Sequence, residues 1–80
     1  MKLPRSISGA DLVKALGKAG YSVTRQRSSH IRLTTERNGQ HHVTVPDHDP
    51  VKVGTLADIL KDVGGHLGLS RDELLQELFG

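Results

Sequence analysis

Apolar positions in this chain change period twice. From Leu12 to Ala19 they recur at helical spacing: Leu12, Leu16 and Ala19 fall at i, i+4 and i+7, Val13 and Ala15 widen the stripe, and Gly20 is placed to stop it. Ser8-Gly9-Ala10-Asp11 reads as a capping box before the stripe, and Ile7 is positioned to pack on Leu12 as a hydrophobic staple. A first helix is therefore predicted over about residues 9–19. From Tyr21 the period drops to two. Tyr21 and Val23 alternate with Ser22 and Thr24, Ile31 and Leu33 with His30, Arg32 and Thr34, and Val43 and Val45 with His42 and Thr44, which predicts three short half-buried strands. The helical period then returns. Thr55-Leu56-Ala57-Asp58 is a second capping pattern, with Leu56, Ile59, Leu60 and Val63 as its stripe and Gly64-Gly65 as its end. Ser70-Arg71-Asp72-Glu73 is a third, with Leu69 and Leu74 as a staple and Leu74, Leu75 and Leu78 as the stripe. The stretch from Gly64 to Gly68 reads as a short flexible joint, and Gly9 and Gly54 read as turn residues near helix starts.

The register of the second and third strands follows from their tip. A two-residue Asn38-Gly39 turn would set Leu33 opposite Thr44 and split the apolar residues between two faces. A three-residue loop, Arg37-Asn38-Gly39 with Gly39 in the left-handed position of a G1 bulge, pairs Leu33 with Val43 and Ile31 with Val45. Only the second arrangement builds one apolar face, and it is the one expected. It leaves His30, Arg32, Thr34, His42 and Thr44 together on a polar, cationic, open face. The order α-β-β-β-α-α, with helices on the apolar side of a three-stranded antiparallel sheet, predicts a two-layer α+β domain over residues 1–80.

Length and charge sharpen this picture. A domain of 80 residues buries only about 60% of its unfolded surface or slightly more, so any substrate is met at the surface. The absence of cysteine excludes disulfides, thiolate chemistry and Cys-based zinc sites. The start has no signal-peptide pattern and no stretch is long and apolar enough to span a bilayer, so a cytoplasmic protein without a membrane partner is expected. The net charge of +2 is unevenly spread. Residues 1–55 carry nine Lys and Arg against four acids, a net of +5, whereas residues 56–80 carry two against five, a net of −3. Such asymmetry draws a polyanion to one side of the fold, although an ordinary solvated surface has the same composition.

The open face holds the candidate chemistry. Metal-free cleavage of RNA needs a base for the 2′-hydroxyl proton and cations for the charged transition state, and imidazole suits the first task near neutral pH. His30 is the candidate base. Arg32 lies on the same face about 7 Å along the strand, and Arg25 and Arg27 lie on the preceding strand or its turn. Taken alone, the histidine reads first as a solvated strand residue, and the arginines as serving solubility and edge protection. His30 should face Pro46, so the loop carrying His48 starts beside it; His48 is either loop support or a secondary acid, and its Asp47 and Asp49 flanks favour support. A metal site is not expected, because His41 and His42 point to opposite faces and His42 lies near 13 Å from His30. No catalytic-serine elbow, P-loop or dinucleotide motif is present, and no cofactor is implied.

These residues have a familiar order. Ile7-Ser8-Gly9-Ala10-Asp11-Leu12, Gly20-Tyr21, Arg25-Gln26-Arg27 before Ser28-Ser29-His30, then Val45-Pro46-Asp47-His48 and Gly54-Thr55-Leu56 leading into Ile59-Leu60, resemble the HicA family of bacterial toxin mRNA interferases over about residues 7–63. The resemblance implies a double-stranded-RNA-binding-domain-like fold, metal-independent mRNA cleavage with His30 as catalytic histidine, and neutralisation by a HicB-type antitoxin. Arg25, Arg27, Ser29, Arg32 and Lys52 are then the expected RNA contacts. The family's Gly-Ser-His motif has Ser28 in place of its glycine, and a positive φ there would strain the turn before His30. A noncatalytic RNA-binding module on the same fold is the alternative, although Thr55-Leu56-Ala57-Asp58 lacks the lysine cluster such modules usually carry there. A protein-interaction module using the acidic C-terminal helix is a third.

Overall fold

The computed structural model describes Leu3, Pro4 and residues 6–80; Lys2 and Arg5, counted above in the basic half, lie outside the described residues. The elements run α1 (Gly9–Lys18), β1 (Ser22–Arg27), β2 (His30–Thr35), β3 (His41–Pro46), α2 (Val53–Leu67) and α3 (Arg71–Phe79). The strands form one antiparallel sheet in the order β1-β2-β3. The helices cover one face, giving the α+β, double-stranded-RNA-binding-domain-like architecture with an added C-terminal helix. Its core is a single cluster in which Leu12, Leu16, Leu33, Val45, Leu56, Val63, Leu74, Leu75 and Leu78 are buried.

Local signals explain most of these elements. Ser8 Oγ accepts from the Asp11 backbone N–H at 3.0 Å and caps α1. At α3, Ser70 and Glu73 form a complete capping box: Ser70 Oγ accepts from Glu73 N, and Glu73 Oε1 accepts from Ser70 N at 2.8 Å. Those backbone contacts hold the Glu73 carboxyl below its usual range. The β2–β3 register is the expected one, with Ile31 opposite Val45, Leu33 opposite Val43 and His30 opposite Pro46. The ladder ends at Thr35 and His41, however, so the tip is longer than a three-residue loop. Asn38 as well as Gly39 is left-handed there (φ 58° and 94°). Asn38 Nδ2 donates to the His66 carbonyl at 2.8 Å, which draws the tip onto the end of α2.

Several expectations fail. The Thr55 cap is not used: α2 begins at Val53 with Lys52 as an N-cap that makes no side-chain capping bond, and Gly54 lies inside the helix. Nor do Gly64 and Gly65 end it. Leu67 continues the buried stripe from Val63 at i+4, and the helix stops only at Gly68, in the left-handed conformation at φ 68°. Gly64 serves a close approach rather than a turn, since a Cβ there would lie 3.3 Å from the Leu69 carbonyl oxygen, tighter than an ordinary contact. Gly9 is likewise the first helical residue of α1 and packs under the backbone of Pro46 and Asp47. Finally, β1 is exposed throughout, with Val23 49% exposed, because it is a sheet edge that the helices do not cover.

Candidate functional site

The open face depends on an irregularity in β1. Tyr21, Val23, Arg25 and Arg27 share one parity, so an unbroken strand would turn both arginines toward the helices along with Tyr21 and Val23. The register instead shifts between Val23 and Arg25, leaving Thr24 as the extra residue of a bulge. Val23 pairs with inward-facing Leu33, whereas Arg25 pairs with Arg32 and Arg27 with His30. This bulge brings Arg25 and Arg27 onto the face that carries His30.

Two residues, Ser28 and Ser29, join Arg27 to His30. A hairpin loop this short favours a positive φ at its first residue, and Ser28 has φ 55°. The Ser29 carbonyl accepts from Asp47 N at 2.7 Å, which continues the β2–β3 pairing beyond Pro46 and fixes the turn against the next loop. His30 is thus exposed, between Arg27 on one side and Pro46 on the other.

Like charges are concentrated on this strip. Arg25 and Arg32 stand directly opposite each other, a like-charge arrangement that costs stability. Neither they nor Arg27 form an ion pair or a side-chain hydrogen bond among the described residues. Arg37 behaves differently. Its guanidinium donates to both carboxylate oxygens of Glu77, at 2.7 and 3.2 Å, and to the Ala19 carbonyl at 3.2 Å, and the Glu77 hydrogen bond raises its pKa. The three sheet arginines are therefore an uncompensated cationic strip beside an exposed imidazole. An anion bound there would relieve the repulsion.

Other candidate residues are placed differently. The His48 carbonyl accepts from Gly9 N at 2.8 Å, and the Ile7 carbonyl accepts from Val51 N at 2.8 Å, so main-chain bonds pin this loop to the start of α1. The His48 side chain is exposed and makes no hydrogen bond among the described residues. Lys52 is exposed at the start of α2, outside the ladder that gathers Arg25, Arg27, Arg32 and His30. Ser29 is half-buried in the turn.

Residues 9–64 match a family model described as the HicA toxin of bacterial toxin-antitoxin systems, which is more than half of the chain. The chain belongs to the HicA toxin family. It is thus the toxin of a toxin-antitoxin system, and an antitoxin is its partner. No curated protein and no solved structure matches it significantly. The matched span of this HicA toxin contains the bulge, the Ser28-Ser29 turn, His30 and the His48 loop; α3 lies beyond it.

Sequence reasoning missed two groups of residues. Thr24, Glu36 and Gln40 join Arg25, Arg32, Thr34 and His42 around a shallow hollow on the open face. The shared parity of Tyr21, Val23, Arg25 and Arg27 was the available signal for the bulge that helps form it. The second group lies on the helix side. His41 Nδ1 is 2.8 Å from the Tyr21 hydroxyl, its Nε2 is 3.2 Å from Asp62 Oδ1, and its ring stacks on His66 at 4.3 Å. His66 Nε2 lies 2.9 Å from both the Arg37 and Gly39 carbonyls, binding the hairpin tip to α2. Burial first, and the Asp62 charge second, push the Tyr21 pKa up to about 12. His41 and His42 do face opposite sides, since His42 Nδ1 lies 2.8 Å from Thr34 Oγ1 on the open face. Among the described residues no three metal-ligating side chains come together, and no helix is long and apolar enough to cross a membrane.

Proposed function

We propose that this toxin is a metal-independent mRNA endoribonuclease in which His30 is the general base. The observation that carries this reading is the pairing of exposed His30 with unpaired Arg27, one step from the unpaired Arg25 and Arg32. His30 takes the proton of a 2′-hydroxyl, whose oxygen forms a bond to the adjacent phosphorus. The bond from phosphorus to the 5′-oxygen breaks, and that oxygen takes a proton from water, or from His48 acting as secondary acid. Arg25, Arg27 and Arg32 hold the phosphates and offset the charge that builds on the non-bridging oxygens; Ser29 and Lys52 extend the contact. A general base of this kind contributes about 10²–10⁴-fold in rate. Metal independence rests on charge, because three guanidiniums around the reacting phosphate already supply cations and repel a divalent ion.

A HicB-type antitoxin is the proposed inhibitor, covering His30 and Arg32 with an acidic surface. The cytoplasm, where mRNA is translated, is the proposed location. The mechanism is tested on the products. Cleavage in excess EDTA should leave 2′,3′-cyclic phosphate ends, and a 2′-deoxy nucleotide at the scissile position should block it. Loss of activity with chelator and recovery with added metal would contradict the mechanism. RNA binding with no cleavage at all would favour the noncatalytic module.

A further inference from the structure

The hollow lined by Thr24, Arg25, Arg32, Thr34, Glu36, Gln40 and His42 has a volume of about 440 Å³, within the range of about 300–1,000 Å³ typical of small-ligand sites. Its two ends differ in chemistry. Arg25 and Arg32 form the end nearer His30 and suit a phosphate. Glu36 and Gln40 form the other, and a carboxylate there repels phosphate.

Internal hydrogen bonds set what this second end presents. Thr24 Oγ1 lies 2.9 Å from Thr34 Oγ1, which lies 2.8 Å from His42 Nδ1, a row of bonds across all three strands that fixes the imidazole. His42 Nε2 makes no hydrogen bond among the described residues. The Gln40 amide N–H donates to Glu36 Oε1 at 3.2 Å, which commits a donor and leaves Gln40 Oε1 and Glu36 Oε2 as acceptors. The hollow therefore offers a flat ring beside a pair of acceptors. Besides its histidines the chain has only one Tyr, one Phe and no Trp; Tyr21 is buried and Phe79 lies on α3, so His42 is the flat ring that lines this hollow.

We propose that the hollow is a base-binding subsite. It seats a nucleobase with an exocyclic amine next to the scissile linkage, stacked on His42 and hydrogen-bonded to Glu36 and Gln40. Single-stranded RNA is read by stacking on flat side chains and by hydrogen bonds to base edges, and a carboxylate accepts from an exocyclic amine as it does from cytosine N4. Adenine, cytosine and guanine carry such an amine; uracil does not. Thr34 and His42 lie about 13 Å along the sheet from His30, with Arg32 between them at about 7 Å. A strand whose linkage meets His30 thus lays a neighbouring nucleotide into the hollow.

The inference rests on RNA being the ligand of this face, and the test separates it from the catalytic reading. A random RNA pool is digested with the wild type, with Glu36→Ala/Gln40→Ala, with His42→Ala and with Asp58→Ala, a control on α2, and the ends are sequenced. The wild type and Asp58→Ala should disfavour uridine at one flanking position by between about 5-fold and about 150-fold. The Glu36→Ala/Gln40→Ala and His42→Ala variants should bring that ratio toward one. Binding of 2′-O-methyl oligonucleotides, which lack the attacking hydroxyl, is measured with the same varied position. Preference in binding without any cleavage would overturn the role of His30 and leave the subsite standing. Cleavage with a uridine ratio that the variants do not alter would overturn the subsite alone. The same unaltered ratio together with lost antitoxin affinity would assign the hollow to a protein contact.

Discussion

Replacing Ser28 with glycine should stabilise the protein. Ser28 is held at φ 55° in the two-residue turn between Arg27 and His30. A side chain in the left-handed region costs about 1–2 kcal/mol, from the approach of Cβ to the following carbonyl oxygen. Glycine removes that cost but frees the unfolded chain, which returns about 0.4–1 kcal/mol. The difference leaves a gain of up to about 1.6 kcal/mol, about 0.8 kcal/mol at the midpoints, and 1 kcal/mol raises Tm by about 4–8 °C in a domain of this size. Ser29 has no positive φ, so Ser29→Gly should gain nothing and lose about 0.5–1 kcal/mol through the same unfolded-state freedom. Thermal and urea denaturation of the two variants beside the wild type provide the comparison. An unchanged or lower Tm for Ser28→Gly, or equal effects at the two positions, would refute the strain argument.

Gly9→Ala should act in the opposite direction, because the new Cβ would overlap the Pro46 carbonyl oxygen and approach Asp47 Cα to 2.9 Å. Neither backbone atom yields easily, so denaturation should show a loss of about 1–3 kcal/mol. Tyr21 retains its proton in the folded protein up to about 12, against an ordinary value of 10.0. Stability should therefore be indifferent to Tyr21 below pH 10 and fall as pH rises from about 10 to about 12; Tyr21→Phe should remove that alkaline slope in pH-dependent melting. Reversing charge at Arg25 and Arg32 together should weaken both RNA cleavage and antitoxin binding, and the loss of binding should shrink at high salt. The control is reversal at exposed Asp58, since Glu77 is engaged by Arg37; an antitoxin that binds the sheet variant as tightly as the wild type would refute occlusion of the face.

The register of β2 and β3 was legible because one-residue slippage would expose Ile31 and Leu33 or Val43 and Val45, and only one pairing buries all four. Helices α1 and α3 were legible from side-chain caps at Ser8 and Ser70. The start of α2 was not, because Lys52 caps it without a side-chain bond and Thr55 imitates a signal that goes unused. Its end was misread for a different reason. Glycine weakens a helix locally, but packing of Val63 and Leu67 outweighs that cost, and Gly64 lets the chain around Leu69 come close. The open face was predicted with His30, Arg32, Thr34, His42 and Thr44, yet the placement of Arg25 and Arg27 depended on a bulge that pattern reading did not locate. The Tyr21-His41-Asp62 contacts and the seat of His66 join residues about twenty positions or more apart. No local spacing encodes them.

His30 carries the proposed mechanism. Because its side chain is exposed and outside the core, His30→Ala should change stability by no more than about 0.5 kcal/mol. RNA cleavage, measured at one enzyme concentration on one defined substrate, should fall by about 10²–10⁴-fold, while RNA affinity, which rests on the arginines, should change little. A folded His30→Ala protein that cleaves at the wild-type rate would contradict the central claim.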